Sequence, residues 1–325
     1  MTPHPRCSTI LTRELTLPRP RFLTTLPHVK IHTIDLEFQG SPGLIASFLI
    51  EPGPGGGLIL IEPGPGSTTA TLLEKIAGLG LDPDEIRSVF VTHVHLDHAG
   101  AAGWWAQRGA RLFVHPKAAR HLIDPARLVE SARGVYGEAF DSLWGEVLPA
   151  PEAQVQILED GEQVEIGGVQ IEAIDTPGHA FHHHAFAIGD LCFTGDVAGA
   201  RLEGASYTSV TSAPPQFHLE SYLQSIDRLR AREFSRLYLT HFGPVDDVDE
   251  HWARYRAAVA GAAQVVKAFI DGGQDAESIR IAYEAFQMEQ AFQEQLPRER
   301  WDQYQMANGT GMSADGLRMY WEREE

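Results

Sequence analysis

Short runs of apolar residues, separated by turn-forming residues, dominate the pattern between residues 31 and 239. Runs of four to eight apolar or alternating residues are typical of strands that are buried on one or both faces. Gly167 and Gly168 separate two such runs, which predicts a two-residue hairpin connection. The predicted strands are 31–38, 44–50, 58–61, 88–91, 111–114, 155–158, 163–166, 169–174, 185–188, 191–193 and 236–239. The pattern therefore predicts two strand-rich blocks.

Helical spacing of apolar residues occurs between these strands and becomes continuous towards the C-terminus. Residues 68–79 follow Ser67, a suitable N-cap, and end at Gly80. Residues 117–150 are helical but irregular, which predicts an insertion over one end of a sheet. After residue 248 only helices are predicted. They span 250–271, 276–295 and 313–323.

Together these elements predict an α+β protein with three parts. Residues 1–27 are rich in Pro and Arg and show no periodicity, which favours a loosely ordered N-terminal arm. Residues 28–248 contain all the predicted strands and form the predicted main domain. Residues 249–325 form a C-terminal helical segment, which could serve as a lid, as a contact in a homodimer, or as both.

The composition excludes several classes of protein. The chain has 325 residues, 43% of them hydrophobic, which is enough for a substantial core. Its formal net charge of −18 repels phosphate backbones, so we do not expect nucleic acid as a partner. No apolar stretch reaches the ~18 residues of a membrane helix, and we expect no membrane association. Two cysteines, far apart in sequence, and no hydrophobic signal region favour a reducing cytoplasm.

Potential metal ligands cluster directly after the strand 88–91. Three histidines and an aspartate lie within six residues there, and imidazole and carboxylate are ligands for zinc, iron and manganese. Three later strands are also followed by one such residue each. The seven candidates are His93, His95, Asp97, His98, His179, Asp196 and His241. Two divalent ions that share one carboxylate need about this many protein ligands while leaving positions open for water.

The motifs HVHLDH at 93–98, TPGH at 176–179 and TGD at 194–196, with the late His241, resemble those of the metallo-β-lactamase fold superfamily. The resemblance covers about residues 30 to 245. It implies an αββα four-layer sandwich, in which two mixed β-sheets pack face to face with helices outside, here followed by a C-terminal helical appendage. It further implies one ion at His93, His95 and His179. The second ion would bind Asp97, His98 and His241, and Asp196 would bridge the two.

This resemblance implies a metal-dependent hydrolase in which a metal-bridging hydroxide attacks a small ester, thioester, lactone or phosphodiester. Zinc is the expected metal, with iron and manganese as alternatives, and Asp97 is the expected catalytic residue. True β-lactamases of this fold lack the bridging aspartate, so Asp196 argues against that activity. Two alternatives stay open: a mononuclear iron persulfide dioxygenase and a non-catalytic, metal-stabilised binding protein.

Further residues are predicted to support the ligands or contact the substrate. Glu62 stands where many members have an aspartate that hydrogen-bonds a ligand histidine. One of His182, His183 and His184 is predicted to brace the loop by hydrogen bonding, and His183 is the candidate among them for supporting a ligand. His115 is predicted to contact a ligand or the substrate. Lactonases of the superfamily carry a tyrosine three residues after the bridging aspartate. Gly199 stands at that position here, with Tyr207 further along the loop.

Overall fold

A computed structural model of the chain describes residues 29–324. The predicted N-terminal arm, residues 1–27, lies outside this range. Twelve strands form two six-stranded sheets within the described residues. The first sheet contains β1 (Lys30–Asp35), β2 (Ala46–Glu51), β3 (Leu58–Ile61), β4 (Ile86–Phe90), β5 (Arg111–Val114) and β6 (Val155–Ile157). The second contains β7 (Gln163–Ile166), β8 (Val169–Asp175), β9 (His184–Ile188), β10 (Leu191–Gly195), β11 (Arg236–Leu239) and β12 (Gly243–Val245).

Both sheets are mixed. In the first, β1 to β3 pair antiparallel, whereas β3 to β6 pair in parallel. In the second, whose order is β12-β11-β10-β9-β8-β7, only β10 and β11 pair in parallel. The hairpin at Gly167 and Gly168 is confirmed, because Ile166 pairs with Val169 and both glycines have positive φ.

The eleven α-helices that the structure describes cover the outer faces of the sheets or cross the strand ends. They are α1 (Thr69–Gly78), α2 (Leu96–Ala99), α3 (Ala102–Gln107), α4 (Ala119–Ile123), α5 (Ala126–Tyr136), α6 (Phe140–Trp144), α7 (Leu219–Arg230), α8 (Val248–Asp271), α9 (Ala276–Gln293), α10 (Trp301–Ala307) and α11 (Thr310–Glu324). The predicted insertion corresponds to α4 to α6. No helix within residues 29–324 is both long and apolar enough to cross a membrane.

Apolar side chains from both sheets meet between them and fix their face-to-face arrangement. Phe48 of the first sheet contacts Phe193 and Tyr238 of the second, with ring centroids 5.3 and 5.5 Å apart. Phe90 and Phe186 make a similar contact at 5.2 Å. Each buried aromatic ring contributes about 1.5–3 kcal/mol through burial alone. The predicted αββα sandwich is confirmed.

Three of the C-terminal helices, α8, α9 and α11, share one apolar cluster with α7 and the second sheet. Trp252, Tyr255 and Val259 of α8 are fully buried in one apolar cluster with Ile226 of α7 and Leu237 of β11. The sequence reasoning missed α10, whose seven residues are too few for helical spacing to be recognised. It also ended the strands at β11, because the sequence Gly-Pro-Val of β12 shows no strand pattern.

Candidate metal centre

The seven predicted ligands meet at one edge of the sandwich, where strands of both sheets end. The segment after β4 contributes four of them, from His93 to His98, and the second sheet contributes the other three. Six of the seven side chains are buried or nearly so. Asp97 differs because 21% of its side chain remains exposed, so it lies on the open side of the site.

The first group of donor atoms surrounds Nδ1 of His95. Nε2 of His93 and Nε2 of His179 each lie 2.9 Å from this atom. Oδ2 of Asp196 lies 3.2 Å from Nε2 of His179. Donors around a tetrahedral zinc ion, with bonds of about 2.0–2.1 Å, are separated by roughly 3.3 Å. The donor atoms of the first group are therefore close enough together to share one metal ion.

The second group consists of Asp97, His98 and His241. Oδ2 of Asp97 lies 3.4 Å from Nε2 of His98 and 3.3 Å from Nε2 of His241. Oδ1 of Asp196 completes this group, at 3.3 Å from Nε2 of His98 and 3.5 Å from Nε2 of His241. Asp196 thus presents one carboxylate oxygen to each group.

Hydrogen bonds at the outer ring nitrogens determine which tautomer each histidine adopts. Nδ1 of His179 donates to the carbonyl of Thr211 at 2.9 Å, and Nδ1 of His241 donates to the carbonyl of Leu44 at 2.8 Å. Nδ1 of His98 donates to the carboxylate of Glu62. In the neutral form of each of these three rings, Nε2 therefore carries a lone pair that faces the site, as metal ligation requires.

Two further observations fit a bound cation. Nδ1 of His95 carries at most one proton, yet it has an imidazole nitrogen on either side at 2.9 Å, and the lone pair of His179 is fixed towards it. Nε2 of His98 and Oδ1 of Asp196 are buried without a hydrogen bond. Buried polar atoms rarely stay unpaired, and a metal ion would pair these two. The residues present therefore fit the two ions that the motifs imply.

Comparison with known proteins agrees with this geometry. The family model described as the metallo-beta-lactamase superfamily matches residues 40–241, more than half of the chain. The chain belongs to this superfamily. A metallo-beta-lactamase family protein of Thermus thermophilus has the same fold, with a TM-score of 0.66, 21% identity, and coverage of 92% of this chain and 94% of that chain.

Two curated relatives match only part of this superfamily member. A metallo-beta-lactamase fold-containing protein of Sulfurisphaera tokodaii is 30% identical over 149 residues, which are 45% of this chain and 56% of that protein. A hydroxyacylglutathione hydrolase of Aeromonas salmonicida is 27% identical over 160 residues, 49% of this chain and 48% of that protein. The chain thus spans about half the length of these relatives.

Glu62 connects three of the segments that form the site. Its fully buried carboxylate accepts hydrogen bonds from Thr92 N at 2.8 Å, Thr92 Oγ1 at 3.0 Å and Thr240 Oγ1 at 3.2 Å, in addition to His98. Since Thr92 Oγ1 donates to Glu62, it accepts from Nδ1 of His93 at 3.0 Å and orients that ring as well. The structure places the Glu62 carboxylate beside the predicted ligand His98.

His183 lies behind Asp196. Its Nε2 accepts the backbone N–H of Asp196 at 3.1 Å, and its Nδ1 lies 2.7 Å from Thr176 Oγ1. This ring therefore connects the turn before His179 to the turn that carries Asp196.

The structure places His115 away from both groups. Its Nδ1 accepts the backbone N–H of Lys117 at 2.9 Å, so its Nε2 carries the proton and lies 3.2 Å from Oδ1 of Asp175. His184 approaches the same pair, but the protonated Nε2 of His115 has no lone pair for an ion. The structure does not place His115 in contact with a predicted ligand.

Burial and charge divide the histidines into two electrostatic classes. Burial lowers the pKa of His95 to about 3, and nearby His179 acts in the same direction. Burial likewise lowers the pKa of His93 well below its ordinary value. For His98, burial opposes the charged form, but Asp97, Asp196 and Glu62 outweigh it and raise the pKa. The carboxylates thus create a field that attracts a cation at the second group.

Several residues that shape the site carried little sequence signal. Thr92 and Thr240 each directly precede a predicted ligand, and this shared position is a signal that could have indicated them. Thr211 contributes through its carbonyl group, which no motif reveals. Tyr207 is buried and donates to Gln287 at 2.7 Å, so it does not replace the tyrosine of lactonases.

Proposed function

We propose that this chain is a dinuclear metal-dependent hydrolase that acts on a small ester, thioester, lactone or phosphodiester, with zinc as its metal. The observation that carries the proposal is the position of Asp196, whose two carboxylate oxygens face separate sets of donor atoms. A single structural ion would need one closed site and no second group around a shared carboxylate.

His93, His95, His179 and Asp196 would hold the first ion, and Asp97, His98, His241 and Asp196 the second. When bound, such ions supply a hydrolytic nucleophile near neutral pH and polarise the carbonyl or phosphoryl group of the substrate. The partly exposed Asp97 carboxylate would orient the attacking water and transfer its proton to the leaving group. Partial loss of contact with water acts to raise the pKa of Asp97, but His98 and His241 outweigh this effect and hold that pKa well below its ordinary range, so Asp97 starts as the carboxylate.

Two relatives support a hydrolytic reaction. The matches to hydroxyacylglutathione hydrolases of Aeromonas salmonicida and Aeromonas hydrophila reach 27% and 30% identity. These matches cover less than half of either relative. Thioesters therefore come first among the substrates to be tested, and the other three classes follow. The proposal includes a small-molecule substrate, a cytoplasmic location and no nucleic-acid partner.

The test is a panel of ester, thioester, lactone and phosphodiester substrates, run on full-length protein of measured metal content. We expect two zinc ions per chain and hydrolysis of at least one class. Asp97→Ala should lower kcat by at least about 100-fold, as loss of a general acid–base does. The control Asp84→Ala removes an exposed carboxylate paired with Arg108 and should leave kcat unchanged.

Two results would replace this proposal. One iron per chain together with oxygen uptake on glutathione persulfide would establish the dioxygenase alternative. A metal-stabilised binding protein would be favoured if metal stayed bound in Asp97→Ala and every hydrolase assay gave the same result for this variant as for the wild type.

A further inference from the structure

Three buried hydroxyl groups meet behind the candidate metal centre. Tyr222 and Tyr255 have their hydroxyl oxygens 2.8 Å apart, and Thr211 Oγ1 lies 2.7 Å from the first and 3.1 Å from the second. All three residues are buried, both tyrosines completely. Hydroxyl groups so far from water must satisfy one another, so their hydrogen bonds follow a defined pattern.

Two of the three hydroxyl protons are used by the backbone of Asp196. Its carbonyl accepts from Tyr222 at 2.6 Å and from Thr211 Oγ1 at 2.7 Å. Thr211 also supplies the carbonyl that orients His179, at 2.9 Å from Nδ1. Asp196 is therefore fixed through its backbone carbonyl and His179 through its ring.

The third hydroxyl, that of Tyr255, completes the arrangement. It accepts the backbone N–H of Thr211 at 3.3 Å. Because Thr211 and Tyr222 both donate to Asp196, the proton of Tyr255 must point to one of their oxygens. Among the three hydroxyls, Tyr255 is thus the one that donates to another member of the group, and by accepting from the backbone N–H of Thr211 it also fixes the peptide next to the Thr211 carbonyl.

Tyr255 belongs to α8, in the C-terminal segment, and α8 makes a second contact with the same turn. His251, one helical turn earlier, donates from Nε2 to the carbonyl of Ala198 at 3.0 Å. The ring of Tyr255 packs directly on Gly199, where an added Cβ would lie 2.3 Å from Cε2 of the tyrosine. Residues 196–199 are therefore held against α8 by two side chains four residues apart.

We propose that Tyr255 is a positioning residue of the metal centre, and that helix α8 contributes to metal affinity by fixing His179 and Asp196. The inference rests on the proposed dinuclear centre. Loss of a group behind a ligand commonly costs 10–100-fold in metal affinity. Tyr255 reaches the ligands through Thr211 and Tyr222, so we expect a loss near the lower end, about 10-fold.

Zinc binding to the full-length chain provides the test, with zinc alone as the probe and a chromophoric chelator as competitor. Tyr255→Phe keeps the ring on Gly199 and removes the hydroxyl. Tyr283→Phe is the matched control, because its buried hydroxyl is hydrogen-bonded to Gln287 on α9. Both variants should lose stability in urea. Only Tyr255→Phe should bind zinc about 10-fold more weakly and alter the absorption bands of the cobalt-substituted protein.

A second pair of variants covers the case in which Tyr255→Phe does not fold. Thr211→Val removes the hydroxyl at nearly constant volume, whereas Thr211→Ser retains it. The serine variant should bind zinc more tightly than the valine variant. Equal zinc affinity and identical cobalt spectra in wild type and Tyr255→Phe, or equal affinity in the two Thr211 variants, would overturn the positioning role alone. A wild-type chain that binds no zinc would overturn the metal centre and, with it, this role.

Discussion

Glu62→Gln is the substitution that tests the architecture of the site most directly, because it changes the hydrogen-bonding character of one buried group at constant shape. Oε1 of Glu62 accepts the backbone N–H of Thr92, whereas Oε2 accepts from Thr92 Oγ1, Thr240 Oγ1 and His98. A carboxylate can accept all four hydrogen bonds, but an amide has one accepting end and one donating end.

Either orientation of the glutamine leaves a conflict. With its NH₂ group at the Oε1 position, it faces the backbone N–H of Thr92, and an unsatisfied buried donor costs about 1–3 kcal/mol. With its NH₂ group at the Oε2 position, it faces Nδ1 of His98. That ring must then move its proton to Nε2 and lose the lone pair that would bind the second ion.

The expected result combines both effects. We expect the free energy of unfolding of the metal-free protein to fall by about 2 kcal/mol or more, since hydrogen bonds to a charged group are worth about 1.5–3 kcal/mol each. We also expect zinc affinity at the second group to fall about 10–100-fold. Urea denaturation measures the first quantity, and chelator competition measures the second.

A suitable control is Glu51→Gln, which changes a carboxylate on β2 that pairs with His32 and Lys30 near the surface. Surface pairs contribute about 0–1 kcal/mol, so this variant should keep wild-type zinc binding and nearly wild-type stability. If Glu62→Gln bound two zinc ions with wild-type affinity, the argument that Glu62 determines the tautomer of His98 would be refuted.

Three further predictions follow from the same structure. His98→Ala should lower bound zinc from two equivalents to about one, as measured by elemental analysis, because the first group keeps its own donors. Gly178→Ala should lower the free energy of unfolding, measured in urea, by about 1–3 kcal/mol, because Gly178 has φ +133° and an added Cβ would lie 2.3 Å from the backbone of Tyr222. Its control is Gly261→Ala, inside α8 with open space around it, which should instead raise the free energy of unfolding by about 0.5–1 kcal/mol. Zinc at 100 times its Kd should raise the free energy of unfolding by about 2.7 kcal/mol per site relative to EDTA-treated protein, and no zinc dependence would contradict binding to the folded state.

The convergence of the seven candidate ligands could be predicted from sequence because each follows a strand, and strand ends share an edge of the sandwich. Four of the seven lie within six residues, so their proximity needed no tertiary information. The two-sheet fold was predictable for a related reason, since short apolar runs with intervening turns describe buried strands well. The resemblance to the superfamily added the pairing of ligands with ions, which the spacing alone leaves open.

The hydrogen-bond acceptors of the candidate ligand histidines could not be predicted from the sequence. Glu62 lies 36 residues from His98 in sequence, and the carbonyl of Leu44 lies 197 residues from His241. Such contacts depend on how the two sheets pack, and backbone carbonyls carry no sequence signature at all. The role of the helices after residue 248 was open for the same reason, because helical spacing shows which face is apolar but not what that face contacts.

The tautomers of the candidate ligand histidines depend on partners that the motif itself does not contain. An imidazole binds a metal only if its other nitrogen holds the proton, so the ligand motif is necessary but not sufficient for a metal centre. His98 donates directly to Glu62, which follows β3 of the first sheet. His93 donates to Thr92 Oγ1, which in turn donates to Glu62. For His179 it traces to Thr211, whose position depends on Tyr222 of α7 and Tyr255 of α8. If the proposed centre is correct, the tautomers that bind metal therefore depend on both sheets and on α8 of the C-terminal segment.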